Sequence, residues 1–329
     1  MLAAHLLGNS KVAVEEFPTP QPGEGEVLVR VRATGICGSE MHGFKGPNAQ
    51  PMNGGHECAG EVLDVSRARR LKPGDRVGIS GVWGCSQCEW CAKGQHTYCD
   101  NRGFIRASHS ELVCASEAWC YPLPDDMPFD IGVLVSGDGL GVPYHANKYV
   151  KTHGGDVVAV IGLGPIGLGH VLVQAFLGAR VIGLDMAPTR LKLAQELGAE
   201  HAVNVSRGDP VEAVRELTQG LLCDKVIEAV GRQETLSLAA RLAGKGKNVI
   251  VCGEQGQAQI SPGEDLIRRD VGMKGSWFYH FCEIPDMIRL WRRGLAIDKL
   301  ITHRLPLGEA QRGYDLMAAG ESGKVMLEP

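Results

Sequence analysis

Two textures of hydrophobic patterning divide the chain. In its first third, short apolar or alternating runs such as VLVRVRATG, ECAGEVLDV and DRVGISG stand between glycine and proline breaks, the pattern of brief strands and turns in an all-β lobe. From Asp156 the runs alternate between strand and helix: DVVAVIG, a helix from Pro165 to Leu177, RVIGLD, a helix from about Pro188 to Leu197, HAVNV, and a helix from Val211 to Leu217. The alternation continues through DKVIEAVG, a helix near Leu236 to Leu242, NVIVCG and VGMKGSW, which makes six strands with helices between them. Such a series predicts a doubly wound parallel sheet. Beyond Trp277 a helix (IPDMIRLWRRG), a strand (LITHRLP), a helix (GEAQRGYDLMAAG) and a last strand (GKVMLE) form a tail too small to bury its own core, so it is expected to pack back on the first lobe.

Length and charge narrow the functional classes. A chain of 329 residues suits two domains. With 34 basic against 38 acidic residues and a pI near 6.3 it offers no electrostatic footprint for nucleic acid or an anionic membrane. No apolar stretch reaches membrane-spanning length and the N-terminus carries no basic leader, so a cytoplasmic location is expected. Eleven cysteines then point to reduced thiols and metal ligation rather than to a disulfide framework.

The segment VVAVIGLGPIGLG sets Gly162, Gly164 and Gly167 in a GxGxxG pattern directly after an apolar strand and at the start of a helix. The first glycine permits a tight turn, the second lets backbone approach a pyrophosphate, and the third lets helix and strand pack closely, with the helix N-terminus aimed at the phosphates. Asp185 ends the second strand, where a carboxylate can accept from both ribose hydroxyls and would repel a 2′-phosphate, favouring NAD over NADP. The alternative is a ligand-free strand-to-helix turn with a surface aspartate. Arg190 reads equally as an adenine neighbour and as a solvated helix residue.

Two groups of metal-ligand residue types stand out. Cys85, Cys88, Cys91 and Cys99 lie in one loop, CSQCEWCAKGQHTYC, where four thiolates can close a tetrahedral shell around one zinc and leave no place for water. An iron–sulfur cluster or unligated thiols remain the alternatives. The second group is dispersed: Cys37 in GICGSEMH, His56 and Glu57 in GGHECAG, and Asp138 in SGDGLG, a sulfur, an imidazole and carboxylates suited to a catalytic zinc with an open position. Taken alone, His56 also reads as a hydrogen-bonded structural histidine and Cys37 as a small buried hydrophobe. Cys58, Cys114, Cys120, Cys223 and Cys282 read as packing residues.

With these motifs in order, the chain resembles the zinc-containing medium-chain dehydrogenase/reductase family, especially its sorbitol and threonine dehydrogenase branch. GEGEVLVRVRATGICGSEMH, GHECAGEV, LKPGDRV, the four-cysteine loop, GLGPIG and GKVMLEP carry the likeness along essentially the whole chain. The resemblance implies an α/β protein: a GroES-like β-barrel catalytic domain over 1–138 with a structural zinc lobe at 84–100, a Rossmann NAD-binding domain over 139–276, and a return segment over 277–329. It implies two zinc ions per subunit, one catalytic at Cys37, His56, Glu57 and Asp138 and one structural at the four cysteines. Ser39 and His42 match a proton relay; Ile166, Asp185 and Arg190 match nucleotide-contacting positions; Cys252, Gly253, Glu254, Ser276 and Trp277 match segments near the nicotinamide. Glu57 either binds zinc or sits behind it, paired to a cation such as Lys324.

The implied reaction is hydride transfer between a small secondary alcohol, polyol or sugar-like, and NAD, with self-association as a homodimer or homotetramer. Ser39 stands where the threonine dehydrogenases more often carry Thr, a tilt toward polyols over amino alcohols. A NAD-binding protein of this fold without turnover is the reading from another class. Three departures surround the pocket: Glu40 replaces the usual aspartate expected to orient the ligand histidine, the interval from Cys37 to His56 is short, and the proline usually found after the acidic residue is absent beyond Asp138.

Overall fold

The structure is a computed structural model that describes residues 1–50, 54–65, 70–254 and 256–329. It divides into two compact units, Met1–Gly141 with Tyr279–Arg292 and Ile301–Pro329, and Val142–Phe278 with Arg293–Leu300. The expected return segment 277–329 is therefore interrupted, because Arg293–Leu300 clusters with the second unit.

In the first unit a seven-stranded sheet runs Ile301–Pro306, Lys324–Glu328, Glu26–Gly35, Cys58–Asp64, Arg76–Ile79 and Cys120–Pro122, with Leu112–Ser116 also paired to Glu26–Gly35. Period-2 alternation explains the register: in Glu26–Gly35, Val27, Val29 and Val31 are buried while Arg30 and Arg32 face water. The C-terminal strand Lys324–Glu328 pairs antiparallel with Glu26–Gly35, so the end of the chain is built into this sheet and carries Lys324 into its interior. The helices Phe129–Val135 and Asp138–Val150 were not expected from the sequence, and Asp138 is the first residue of the second. Their glycines and valines mask helical periodicity.

The second unit holds the expected parallel sheet. Its strands are His201–Asn204, Arg180–Asp185, Val157–Ile161, Cys223–Glu228, Ala243–Val251 and Gly272–Gly275, in that spatial order and all parallel. Numbered along the chain the order is 3-2-1-4-5-6, and the direction of winding reverses between Val157–Ile161 and Cys223–Glu228, where ligands of such sheets bind beyond the strands' carboxyl ends. Helices on the sheet bury it on both faces, so Val158, Val160, Ile182, Leu184, Val226, Ile227 and Val249 are all within 2% of complete burial. Each such side chain contributes roughly 1.5–3 kcal/mol relative to exposure. No helix among the described residues is long and apolar enough to cross a membrane.

Among the cysteines read as packing residues, Cys58, Cys120 and Cys223 are buried, and burial pushes the Cys58 and Cys223 thiols up to about 12. Cys282 is exposed, which corrects that reading: it lies in a single helical turn, Phe281–Glu283, whose apolar contact is made by Phe281.

His170 sits fully buried on the helix Pro165–Phe176 with neither ring nitrogen hydrogen-bonded, and burial drops its pKa to about 3. The unfolded chain protonates near 6.5 and the folded chain does not, so stability is fully present above that pH and lost as pH falls toward 3, by roughly 3 kcal/mol at pH 4. Urea midpoints measured between pH 6.5 and 4 should therefore fall less steeply in His170→Leu than in the parent. Parallel pH slopes would mean that His170 is not held neutral in the folded chain.

Candidate functional site

The turn after strand Glu26–Gly35 delivers Cys37, which precedes the single helical turn Gly38–Glu40 and the short helix Met41–Lys45. His56 and Glu57 lead into the adjacent strand Cys58–Asp64, and Asp138 opens its helix nearby. One donor atom from each of Cys37, His56, Glu57 and Asp138 lies within 4.8 Å of the others. Cys37 Sγ donates to Asp138 Oδ2 at 3.4 Å, and His56 Nε2 stands 3.2 Å from the same oxygen. The other ring nitrogen, Nδ1, faces Glu40 Oε1 at 3.4 Å, an ion-pair contact rather than a hydrogen bond. His56 thus has one nitrogen toward the cluster and one toward a supporting carboxylate, the arrangement that orients a metal-ligating histidine.

Burial governs the electrostatics. It opposes charge on His56, yet the neighbouring Cys37 and Asp138 outweigh it and hold the imidazole pKa well above its usual value. Burial, reinforced by Asp138, raises the Cys37 thiol. For Glu40, burial alone would raise the carboxyl, but His109, His56 and Tyr314 hold it at about 2. Glu57 Oε1 accepts from Lys324 Nζ, and both side chains are 1% exposed. Glu57 Oε2 and Asp138 Oδ1 remain buried with no hydrogen-bond partner. Two orphaned carboxylate oxygens beside a thiol and an imidazole are what a divalent cation would satisfy, and such a cation would reverse the bias toward protonated sulfur. The donor set S, N, O, O fits zinc.

Glycines make room for these groups. A Cβ on Gly137 would lie 2.8 Å from Glu57 Oε2, and one on Gly35 would lie 2.6 Å from Lys324 Cε. Ser39, in the turn Gly38–Glu40, and His42, in the helix Met41–Lys45, follow Cys37, and both are exposed.

In the four-cysteine loop the sulfurs of Cys85, Cys88, Cys91 and Cys99 also lie within 4.8 Å of one another. Backbone N–H groups of Gln87 and Cys88 lower the Cys85 thiol to about 6, whereas burial raises Cys91 to about 12. A Cβ on Gly84 would meet Cys91 Sγ at 2.3 Å. Four sulfurs that meet one another, with backbone donors beside Cys85, fit a closed zinc site.

In the second unit the glycine-rich turn has the geometry its sequence implies. Gly162 takes φ +85°, Gly164 caps the helix Pro165–Phe176, and a Cβ on Gly167 would stand 1.7 Å from the Gly162 carbonyl oxygen. Asp185 accepts from the N–H groups of Leu163 at 2.7 Å, Met186 at 2.7 Å and Ala187 at 2.9 Å, tying that turn to the neighbouring strand's end. Ile166 is half-buried in the first turn of the helix, and Arg190 is half-buried on the helix Pro188–Glu196. Cys252, Gly253 and Glu254 follow strand Ala243–Val251, while Ser276 and Trp277 follow the paired strand Gly272–Gly275; the Ser276 N–H donates to the Val251 carbonyl at 2.9 Å. A residue the sequence reading passed over is Glu228, which ends Cys223–Glu228 as Asp185 ends its strand. Its Oε1 accepts from Val230 N, Gly231 N and Thr235 Oγ1, holding the turn beside the switch point. A charged residue closing an apolar run was the available signal. A separate cavity of about 900 Å³ at the sheet's opposite end is lined by Arg180, Arg215 and Lys247, but these pair with Glu200, Glu212 and Asp224.

Comparison with known proteins bears on this geometry. Residues 23–125 match the alcohol dehydrogenase GroES-like domain family and residues 165–293 the zinc-binding dehydrogenase family. Human sorbitol dehydrogenase is 30% identical over 98% of this chain and 94% of that protein. An erythritol/L-threitol dehydrogenase from Mycolicibacterium smegmatis is 34% identical over 100% and 98% respectively. The alcohol dehydrogenase TADH from Thermus sp. ATN1 superposes with a TM-score of 0.90 at 30% identity, covering 100% of this chain and 99% of that one.

The Lys324–Glu57 pair generates a stability prediction. Lys324→Met leaves Glu57 buried and unpaired, which costs about 3–5 kcal/mol. Denaturant unfolding should register that loss, and adding Glu57→Gln should recover much of it. Equal stability of the parent and Lys324→Met would show that the pair is not buried as described.

Proposed function

Since the chain belongs to the zinc-containing medium-chain alcohol dehydrogenase family, in its sorbitol and threonine dehydrogenase branch, we propose that it oxidises a small secondary alcohol of the polyol type with NAD, using zinc held by Cys37, His56 and Asp138 with Glu57. The observation that carries the site assignment is the pair of orphaned oxygens, Glu57 Oε2 and Asp138 Oδ1, beside Cys37 and His56. A second zinc per subunit is assigned to Cys85, Cys88, Cys91 and Cys99, where it holds the loop without taking part in chemistry. The nucleotide is assigned to Gly162, Gly164, Ile166, Gly167, Asp185 and Arg190, with Cys252–Glu254, Ser276 and Trp277 beside its nicotinamide. The catalytic role falls to 1–138 and to 277–329 apart from Arg293–Leu300, the nucleotide role to 139–276, and the assembly is a homodimer or homotetramer.

Zinc held there supplies Lewis-acid polarisation of a substrate hydroxyl, and NAD supplies the hydride acceptor. The residues do the rest. Ser39 accepts the proton leaving that hydroxyl as it passes its own through a ribose hydroxyl to His42, three residues on in the helix Met41–Lys45, and His42 hands it to solvent. His56 is kept facing the cluster by Glu40 at its far nitrogen. Lys324 neutralises one oxygen of Glu57, so the ligand set carries less excess negative charge than its residue count implies. The turn at Gly162 and the helix behind it present N–H groups to the pyrophosphate, and the Asp185 carboxylate, already anchored by three amides, favours ribose hydroxyls over a 2′-phosphate. Polyols are preferred as substrates because relatives at 30–34% identity are named for sorbitol and for erythritol and threitol.

Zinc-replete protein should reduce NAD with at least one member of a panel of polyols, sugars and simple secondary alcohols. Turnover with L-threonine alone would replace the polyol reading, and no turnover with any would favour a non-catalytic NAD-binding protein. Cys37→Ser should lose more than about 99% of kcat while NAD binding, followed by fluorescence titration, is retained; undiminished kcat would remove the catalytic metal from this site. Asp185→Ser should lower the NAD-to-NADP preference by at least about tenfold, read as the ratio of kcat/KM values because damage to the turn alone would weaken both. An unchanged ratio would contradict the ribose assignment.

A further inference from the structure

The carboxylate that supports His56 is itself held from two distant parts of the chain. Glu40 Oε1 faces His56 Nδ1 at 3.4 Å as an ion-pair contact without a hydrogen bond, whereas Oε2 accepts from His109 Nε2 at 3.0 Å and from the Tyr314 hydroxyl. A carboxylate only accepts, so the imidazole N–H and the phenol O–H both donate. His109 and Tyr314 are completely buried, and the Glu40 side chain is 8% exposed. From this geometry we propose that His109 and Tyr314 are positioning residues for His56, acting through Glu40. The proposal rests on reading Cys37, His56, Glu57 and Asp138 as a metal site.

Glutamate has one more rotatable bond than the aspartate expected at this position. A carboxylate on that longer arm must be pinned at its far oxygen if the near oxygen is to stay opposite an imidazole nitrogen. Two donors, 69 and 274 residues away in sequence, do that here. They are fixed in turn. His109 Nδ1 lies 2.9 Å from Thr34 Oγ1, and Thr34 Oγ1 donates at 2.8 Å to the carbonyl oxygen of Glu57, the residue next to His56. The network therefore closes on the segment it serves. Tyr314 is held by the core cluster it shares with Ile36, Phe44 and Val325, its ring centroid 5.2 Å from that of Phe44.

The same two residues also brace the backbone ahead of His56. Gly55, at φ +97°, has no room for a side chain: a Cβ would lie 2.6 Å from His109 Nδ1 and 2.6 Å from Ser108 Oγ. A Cβ on Gly54 would lie 3.0 Å from the Tyr314 hydroxyl oxygen. The N–H of His109 donates to the Gly54 carbonyl at 3.0 Å, and those of Ala107 and Ser108 donate to the Gly55 carbonyl. His109 and Tyr314 thus bear on His56 from two sides, through its imidazole and through the turn that presents it. Buried groups that merely satisfied one another would not need to converge on both.

Three measurements test the proposal: zinc content with the rate of zinc loss to a chelating dye, the visible absorption spectrum of the protein carrying cobalt(II) in place of the Cys37-dependent metal, and unfolding of the metal-free protein. Tyr314→Phe and His109→Leu should each accelerate loss of the Cys37-dependent zinc by about three- to tenfold and shift the cobalt spectrum, with the four-cysteine zinc unaffected. His109→Gln, which keeps a donor, should restore the parent rate to within about twofold. Because the hydroxyl that Tyr314→Phe removes is the one bonded to Glu40, that variant should add little to Glu40→Ala, or to Glu40→Gln if the alanine variant does not fold. Parent-like zinc loss and cobalt spectra in Tyr314→Phe and His109→Leu would overturn the proposal and leave the metal site standing, even if stability fell. Full additivity with the Glu40 variant would overturn it as well. A parent protein with no zinc removable by Cys37→Ser would defeat the metal reading itself, and the proposal with it.

Discussion

The constraint on which the first unit depends is the burial of charge around Cys37, His56, Glu57 and Asp138. Four ionisable side chains within 4.8 Å of one another, three of them buried and His56 half-buried, would be costly unless each found a counter-charge, a hydrogen bond or a metal. The surrounding sequence meets most of that requirement. Lys324 comes from the last strand to one oxygen of Glu57, Glu40 comes from the turn after Cys37 to the back of His56, and Thr34 and Gly35 both donate to the Glu57 carbonyl. What they leave unmet within the cluster is two carboxylate oxygens, Glu57 Oε2 and Asp138 Oδ1, while Glu40 Oε1 meets His56 only as an ion-pair contact.

This explains why the C-terminal strand must return to the first unit's sheet. A lysine buried to 1% has to be positioned by strand pairing on both sides, and Lys324–Glu328 is paired with Ile301–Pro306 and with Glu26–Gly35. Its approach requires Gly35 to lack a side chain. The GroES-like sheet is thus both the scaffold that sets Cys37 near His56 and the frame that carries the compensating cation.

The second unit solves a different problem. Its central parallel strands have apolar middles, and two of them end in carboxylates, Asp185 and Glu228, each accepting from backbone N–H groups of the turn beyond its strand or the neighbouring one. These bonds hold irregular backbone in place on either side of the switch point, where the glycine-rich turn must remain open to a phosphate. Preorganised N–H groups are useful to an anion only if the turn does not have to be ordered on binding.

The local parts of this protein were legible in its sequence. Apolar runs with glycine breaks specify strands, GLGPIG specifies its own turn because only glycine tolerates φ +85° at Gly162 and the close approach at Gly167, and four cysteines in one loop can meet without help from the rest of the chain. Those features depend on neighbours in sequence. The helices Phe129–Val135 and Asp138–Val150 escaped because glycine-rich stretches read as turns until packing stabilises them. His109 and Tyr314 escaped for a deeper reason: nothing in IRASHSEL or QRGYDLM distinguishes a buried donor from an ordinary loop histidine or a helix's core tyrosine. Their role arises only when long-range strand pairing and helix packing bring them to one oxygen of Glu40, and a hydrogen bond between residues 274 positions apart is decided by tertiary structure alone.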